Sequence, residues 1–350
     1  MDRLDSKLIF EDADGKREAQ IFDFCTEVSI ESSYDNLTDT AALIIPKKIR
    51  YTDENGAPVD SITRGSNPIF KIGDKGKIFV GYNSELEQCF EGYISGVKHK
   101  FPLEMNLEDS VFLLKKASLT LSFENPQLSD LIKKIMPSGV KYEITAEQNL
   151  GQFRINNATA AEVLNELRTK HGVYSFFRGD VLYIGLSINP KLQTVYRFKF
   201  YTPQIIDADG LTYVDARERK IKVVCKSIDA ENKTLEATAG DSDGEVRTLY
   251  FNNYTLADLQ KNADRLVKEM RYSGYDGSFT IFATPIVKHG DVVELINDEF
   301  PEQSGGYLVT KVVTRFGWDI GGRQDVFIKQ KIYDLEADGS GGYVQKPIEL

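Results

Sequence analysis

The seven residues Pro68-Ile69-Phe70-Lys71-Ile72-Gly73-Asp74 recur as Pro285-Ile286-Val287-Lys288-His289-Gly290-Asp291, with identity at five of the seven positions. Each copy leads into a strand-like run, Lys77 to Val80 and Val292 to Ile296. A loop follows, then a second run that opens Gly-Tyr, at Gly92-Tyr93-Ile94 and Gly306-Tyr307-Leu308. Both second runs close on a phenylalanine, Phe101 and Phe316. A turn that uses glycine's freedom at positive φ, with an aspartate side chain bonding nearby backbone, therefore feeds the same hairpin twice. The spacing from Gly-Asp to Gly-Tyr differs by three residues, which a hairpin loop absorbs. The strand after Gly-Tyr is one residue longer in the second copy, which a bulge accommodates. The repeat predicts two similar β domains, with Gly73, Asp74, Gly290 and Asp291 as structural turn residues.

A chain of 350 residues holds two or three such units. Tyr and Phe are plentiful, at 17 and 20, against one Trp and four Met, a bias that suits strands. Lys7 to Glu11, Gln20 to Glu31, Ala41 to Pro46, Pro68 to Tyr82 and Gln88 to Phe101 read as antiparallel strands separated by turns such as Asp12 to Gly15. From about Pro102 the period changes. Asn125 is placed to cap a helix that starts at Pro126, carries Leu128, Leu131, Ile132 and Ile135 on one face and ends at Pro137. Thr159 and Glu162 form a capping box for a second helix, which Gly172 stops. Val173 to Phe177 and Val181 to Ile184 then read as a hairpin. Beyond Asn189 strands return, interrupted by a helix from Leu256 to about Met270 that Thr255 caps. From about Glu336 a Gly/Ser-rich stretch is expected to need a partner or a neighbouring subunit to be ordered.

The chemistry of catalysis is sparse. His99, His171 and His289 have no ligand partner at metal spacing, and His289 aligns with Ile72 in the other copy of the repeat. The acidic turns at Asp12, Asp207 and Asp241 fail as calcium loops: Thr212 and Val246 stand where the latter two need glycine, and Asp23 where the first needs its terminal Glu. No dinucleotide, P-loop, esterase or zincin motif is present. Cys25, Cys89 and Cys225 are single and read as buried free thiols. The basic pairs and clusters Lys47-Lys48-Ile49-Arg50, Lys115-Lys116 and Lys133-Lys134 read as solvated surface. A net charge of −10 argues against a nucleic-acid-binding surface as the main business. The longest aliphatic stretch, Ala41 to Ile45, is far short of a membrane span, and the N-terminus lacks a signal peptide's apolar region, so the expectation is no membrane-spanning segment and a cytoplasmic origin. No enzyme activity, cofactor or metal site is expected.

The order of modules is joined by several phrases: Leu37-Thr38-Asp39-Thr40-Ala41 leading to Ile45-Pro46, Gly81-Tyr82-Asn83, and Phe90-Glu91-Gly92-Tyr93-Ile94. Leu150-Gly151-Gln152-Phe153-Arg154-Ile155, Gly274-Tyr275-Asp276-Gly277-Ser278-Phe279 and Gly305-Gly306-Tyr307 follow. Together, over nearly the whole chain, they resemble the baseplate hub proteins of phage tails, the late control protein D group and its relatives in contractile injection systems. The resemblance implies an α+β, β-rich fold: a first tube-like antiparallel β-barrel over 1–101, an α+β module with two helices over 102–187, a second tube-like barrel over 188–335 with an inserted helix at 255–271, and an extension over 336–350. It implies a structural homotrimer, made in the bacterial cytoplasm and located in a virion tail or injection-machine baseplate, that adapts a sixfold tail tube protein to a threefold spike or tail-tip protein. Its partners would include other baseplate proteins, with DNA only in transit through a neutral to acidic central channel. Two alternatives stand beside it. The run from Phe153 to Gly185 also resembles the small modules of secretins and outer-membrane transducers, which would make the chain a periplasmic or secretion-apparatus module. The abundance of acids leaves room for a tail-associated glycan hydrolase.

Overall fold

Alternation of side chains sets most of the strands: in the first, Ser6, Leu8 and Phe10 are buried while Lys7, Ile9 and Glu11 lie half-exposed between them. The computed structural model describes residues 3–46, 48–52, 58–62, 70–98, 102–185, 190–228, 233–252, 254–339 and 342–347. The fold is β-rich, with large, mainly antiparallel sheets and four α-helices among the described residues.

The first β unit contains β1 (Leu4–Glu11), β2 (Gln20–Phe22), β3 (Glu27–Ser33), β4 (Thr40–Ile45), β5 (Lys48–Thr52), β6 (Pro58–Ile62), β7 (Lys75–Tyr82), β8 (Glu85–Lys98) and β9 (Leu103–Glu108). Their spatial order is β6, β5, β2, β1, β7, β8, β9, β4, β3, each antiparallel to the next. The run Gln20 to Glu31, expected as one strand, is two. Phe22 is buried on the even phase, whereas Cys25 is buried on the odd one and Phe24 is exposed, so the chain turns a corner there and β2 and β3 join opposite ends of the sheet. Phe10, Phe22 and Phe70 meet inside, with Phe10 and Phe70 edge to face at 5.0 Å.

An α/β module follows: α1 (Val111–Leu114), β10 (Ser118–Phe123), α2 (Leu128–Ile135), β11 (Lys141–Ile144), β12 (Phe153–Thr159), α3 (Ala160–His171), β13 (Tyr174–Arg178) and β14 (Val181–Gly185). The Thr159–Glu162 capping box forms with both of its bonds, and Gly172 closes α3 in the left-handed conformation at φ +66°. The cap of α2 is Gln127 rather than Asn125. Pro126 and Gln127 are held extended by Gln148–Leu150, since Leu150 N–H donates to the Pro126 carbonyl and Leu128 N–H to that of Gln148.

The second β unit holds β15 (Val195–Lys199), β16 (Ile205–Asp207), β17 (Leu211–Val214), β18 (Ile221–Ile228), β19 (Thr234–Gly240), β20 (Glu245–Asn252), α4 (Leu256–Met270), β21 (Gly274–Phe282), β22 (Val292–Ile296), β23 (Gly305–Gly317), β24 (Gly321–Ala337) and β25 (Tyr343–Lys346). β15 runs parallel to β22, and β22, β23, β24 and β21 follow antiparallel, with β16 and β17 on the far side of β21. The sequence reading found an inserted helix here but not its partners. α4 packs Leu259, Ala263, Leu266 and Val267 on a separate three-stranded sheet of β19, β18 and β20, which has its own core around Val223 and Cys225.

One strand joins the two β units. The first half of β23 pairs with β22 and buries Tyr307 and Val309 in the second core. Its second half pairs with β3 from Lys311 to Gly317 and buries Phe316 in the first core. The units are thus one continuous hydrogen-bonded sheet.

The expectation that the C-terminal stretch needs a partner to be ordered is overturned. β25 pairs with β24 of its own chain, Tyr343 donates to Asp298 at 3.1 Å, and Gln345 donates to Glu294 at 3.2 Å. Glu294 is buried and also accepts from Arg197 and Tyr333, so β25 completes the shell around a buried carboxylate. Deleting everything after Ala337 is expected to cost about 2 kcal/mol of stability, from lost hydrogen bonds and hydration of Glu294. Chemical denaturation of the shortened chain checks this, and an unchanged midpoint would refute it.

Candidate functional site

The repeat builds the same turn twice. Gly73 sits at φ +95° and Gly290 at φ +84°, a region that side chains other than glycine's rarely enter. Gly73 N–H donates to Ile94 O at 2.8 Å and Ile94 N–H returns to Asp74 O at 2.9 Å; Gly290 donates to Val309 O at 2.7 Å and Val309 returns to Asp291 O at 2.9 Å. Each aspartate carboxylate accepts from the backbone three residues earlier, Lys71 N–H and Lys288 N–H, both at 2.8 Å. Its other oxygen accepts a backbone N–H from the neighbouring segment, Ala13 at 3.2 Å or Thr194 at 3.1 Å. These two segments run in opposite directions, since β1 is antiparallel to β7 while β15 is parallel to β22. Pro68, Ile69 and Phe101 of the repeat lie outside the described residues, as does His99.

The two copies are offset by one residue after the turn. Because Ile94 and Val309 make the same bonds, Tyr93 corresponds to Leu308, and Gly92 to Tyr307. A one-residue slip reverses the face of a strand side chain. Tyr93 therefore stacks outside on Phe112 at 5.6 Å, whereas Tyr307 is fully buried in the second core, where its hydroxyl accepts from Tyr275 N–H. The matching Gly-Tyr pairs therefore do not occupy the same place in the two copies. Ile94 and Val309 stand seven residues before Phe101 and Phe316, so the extra residue belongs before this point and not after it. β23 shifts register against β24 at Gly306–Val309, where that residue is absorbed.

The third turn position separates the copies most. Ile72 is 64% exposed and His289 is 1% exposed. The ring of Phe176 in β13 meets His289 edge on at 5.4 Å, and Arg178 donates to the His289 carbonyl. Ser32 Oγ donates to Asp39 Oδ2 at 2.8 Å and lies 2.6 Å from His289 Nδ1. With the serine proton spent on Asp39, Nδ1 donates to Ser32, and Nε2 is left to accept from Arg178 Nη1 at 3.3 Å. Asp39 in turn donates its backbone N–H to Asp109 at 3.3 Å, and Asp109 also accepts from Thr38 and Val111. A cavity of about 110 Å³ opens onto Asp39, Asp109, Arg178 and Lys288. Burial pushes Asp39 up to about 6. Burial together with the Asp39 charge pushes Asp109 up to about 7. Burial, and then Arg178 and Lys288, hold His289 well below the ordinary imidazole range. Sequence reasoning missed this cluster. Its members are up to 257 residues apart, and the only local signal was an imidazole in a position where the other copy places Ile72.

The remaining chemistry-bearing residues are occupied structurally. His171 closes α3 beside Phe153, where burial lowers its pKa. Asp12 accepts from Lys16 and Arg17, and Asp241 accepts from Ile221 N–H and Arg271. No three His, Cys, Asp or Glu side chains among the described residues could together hold a metal. Cys25 and Cys225 are buried and free, while Cys89 is only half-buried. Lys115 pairs with Glu108, and Lys116 lies over Phe112 at 5.5 Å. Lys47 lies outside the described residues. Among the described residues no helix is long and apolar enough to cross a membrane.

No protein-family model matches the chain, and no curated protein matches it by sequence. The fold does match solved structures. The tail protein from Neisseria meningitidis MC58 superposes with a TM-score of 0.60 at 15% identity, over 93% of this chain and 96% of that one. The 43 kDa tail protein of prophage MuSo2 from Shewanella oneidensis gives 0.57 at 16% identity, over 94% and 98%. An E. coli component of the type VI secretion system with structural similarity to T4 bacteriophage tail proteins gives 0.55 at 11% identity, over 96% and 79%. The chain shares the fold of these tail proteins over more than nine-tenths of its length.

Proposed function

We propose that this chain is the structural hub of a phage tail or a tail-like injection machine: a homotrimer with a central channel that joins a sixfold tail tube to a threefold spike or tail-tip protein. The observation that carries the reading is the duplicated turn and hairpin inside a tail-protein fold. Three copies of a twice-repeated unit present six similar β units around one axis, which reconciles a sixfold neighbour with a threefold one. The division into two tube-like barrels around an α/β module belongs to this reading, as does the structural role of Gly73, Asp74, Gly290 and Asp291.

Cyclic closure needs heterologous contacts, the first β unit of one subunit against the second of the next. Two strand edges suit this. Among the described residues β6 pairs only with β5, and β15 only with β22. Beside β15 lies an apolar cavity of about 370 Å³ lined by Tyr196, Phe198, Ile281, Phe282 and Pro285, so an added strand would find both backbone partners and pockets there. A channel that passes DNA must not hold its phosphates, and the net charge of −10 suits a neutral to acidic lining. The reading describes a structural adaptor and not an enzyme.

Native mass measurement combined with negative-stain imaging tests the assembly. The expected result is three chains in a ring with threefold symmetry and a central hole. A monomer at micromolar concentration, or a ring of any other symmetry, overturns it.

A further inference from the structure

The hydrogen-bond chain running from Arg178 through His289, Ser32 and Asp39 to Asp109 crosses the α/β module, the second β unit and the first in that order. The run contains two carboxylates, Asp109 buried and Asp39 half-buried. Among the described residues no lysine or arginine forms an ion pair with either Asp39 or Asp109. We propose that this junction is a proton-operated latch that seats the β13–β14 hairpin between the two β units, closed while the Asp39–Asp109 pair holds a proton and loosened once both carboxylates are ionised. The inference is independent of the hub reading.

The groups facing the pair come from every element packed there. Arg178 comes from β13, Lys288, His289 and Asp291 from the turn before β22, and Cys89 and Glu91 from β8. None neutralises the pair in contact. Arg178 directs its donors at the Phe177 and His289 carbonyls and at the imidazole. Lys288 is exposed, and Glu91 is paired with Lys75 at 2.5 Å. Asp291 is bonded to Lys288 and Thr194 N–H groups, and burial raises the thiol of Cys89, which stays neutral. A second negative charge at the pair is therefore opposed by its twin and by burial, against only the out-of-contact attraction of Arg178 and Lys288. The Asp39 side chain is 22% exposed at the cavity, so protons exchange with solvent without unfolding.

The sign follows from which form binds more protons. The closed carboxylates titrate above their ordinary values, so the closed form holds protons that the open form releases. The carboxylates favour closure most fully below the ordinary aspartate range, and that advantage is lost as pH rises through about 6 to 7. Asp291 is also raised by burial and acts in the same direction. His289 opposes it in acid. A protonated imidazole loses the acceptor that Arg178 uses, and opening lets the ring take up a proton, so below the ordinary histidine range this one proton offsets part of what the carboxylates gain. Above pH 6.5 only the carboxylates change.

Hydrogen exchange on the intact chain, corrected for intrinsic rates, reads the latch directly. Between pH 6 and pH 8 the protection of Tyr174–Gly185 should fall about tenfold or more, the effect of at least one proton, while that of Lys75–Tyr82 stays constant. Asp109→Asn imitates the protonated acid and should flatten the profile, keeping the wild-type pH 6 protection at pH 8. His289→Gln, which retains one donor and one acceptor, should keep the alkaline limb. A flat wild-type profile overturns the latch, and so does Asp109→Asn with an unchanged slope or His289→Gln with the alkaline limb abolished. Should Asp109→Asn fail to fold, the wild-type profile and His289→Gln decide the matter.

Discussion

Replacing Gln324 by leucine is expected to cost about 4 kcal/mol of unfolding free energy, although it changes side-chain volume little and touches no surface. Gln324 is 0% exposed on β24. Its amide nitrogen donates to the carbonyls of Phe282 and Ala283, both at 3.0 Å, and of Pro285 at 2.7 Å, while its oxygen accepts from Val287 N–H at 3.0 Å. One side chain thus serves the end of β21 and the irregular segment after it, which no sheet ladder reaches. That segment carries Ala283 and Ile286 into the first core and Val287 into the second, so its shape fixes how the β units meet. Leucine would strip partners from buried polar groups, each worth about 1–3 kcal/mol when left unsatisfied. Gln324→Glu should be at least as damaging at neutral pH, because a carboxylate would face three carbonyls, and it should regain stability in acid as it protonates. Equilibrium denaturation in urea measures both, and a loss under 1 kcal/mol for Gln324→Leu would mean that the segment is held by other means.

Gln324 also marks where sequence reading stops. Its polar amide falls on the inward phase shared with Gly322, Val326 and Ile328, and that conflict is visible in the sequence, but the groups it serves lie about 40 residues upstream, at the end of β21 and in the irregular stretch after it. Features with a local physical cause were legible. Thr159 and Thr255 cap their helices and Gly172 stops α3, because each depends on neighbours within a few residues. Features set by distant pairing were not. β3 and β23 lie nearly 300 residues apart, and neither carries a mark that selects the other. The parallel partner of β18 is β20, not the adjacent β19 alone, so the small sheet under α4 could not be assembled from spacing. The offset between the copies was hidden for a related reason: Gly92-Tyr93 and Gly306-Tyr307 match as letters, and only the backbone bonds of Ile94 and Val309 show which residues share a place. The His289 junction combines both difficulties, since burial by Phe176 and Arg178 depends on how a hairpin from one unit lands on a turn from another.

The repeat makes a paired prediction in which the glycines should behave alike and the aspartates should not. A methyl group at Gly73 would come no closer than 3.8 Å to Ala13 and 3.9 Å to Phe112, and one at Gly290 would lie 3.5 Å from Arg178, so both sites have room. Alanine at either position should therefore cost only the backbone term for positive φ, about 1–2 kcal/mol in each copy. Asp74 accepts from Lys71 and Ala13 N–H groups and holds Arg17 through both oxygens at 2.8 Å, with Arg17 also paired to Asp12. Asp291 accepts from Lys288 and Thr194 N–H groups without an ion pair among the described residues. Asp74→Ala should then cost about 3–4 kcal/mol and Asp291→Ala about 2–3, the difference being the charge-assisted bonds to Arg17. Burial also raises the Asp291 carboxyl, so part of what its two N–H bonds supply is already offset in the native chain. The two sites share no partner, so the double variant should equal the sum within about 0.5 kcal/mol. Glycine variants that differ by more than about 1 kcal/mol, or an Asp291→Ala that costs as much as Asp74→Ala, would mean that the two turns bear different loads despite their matching bonds.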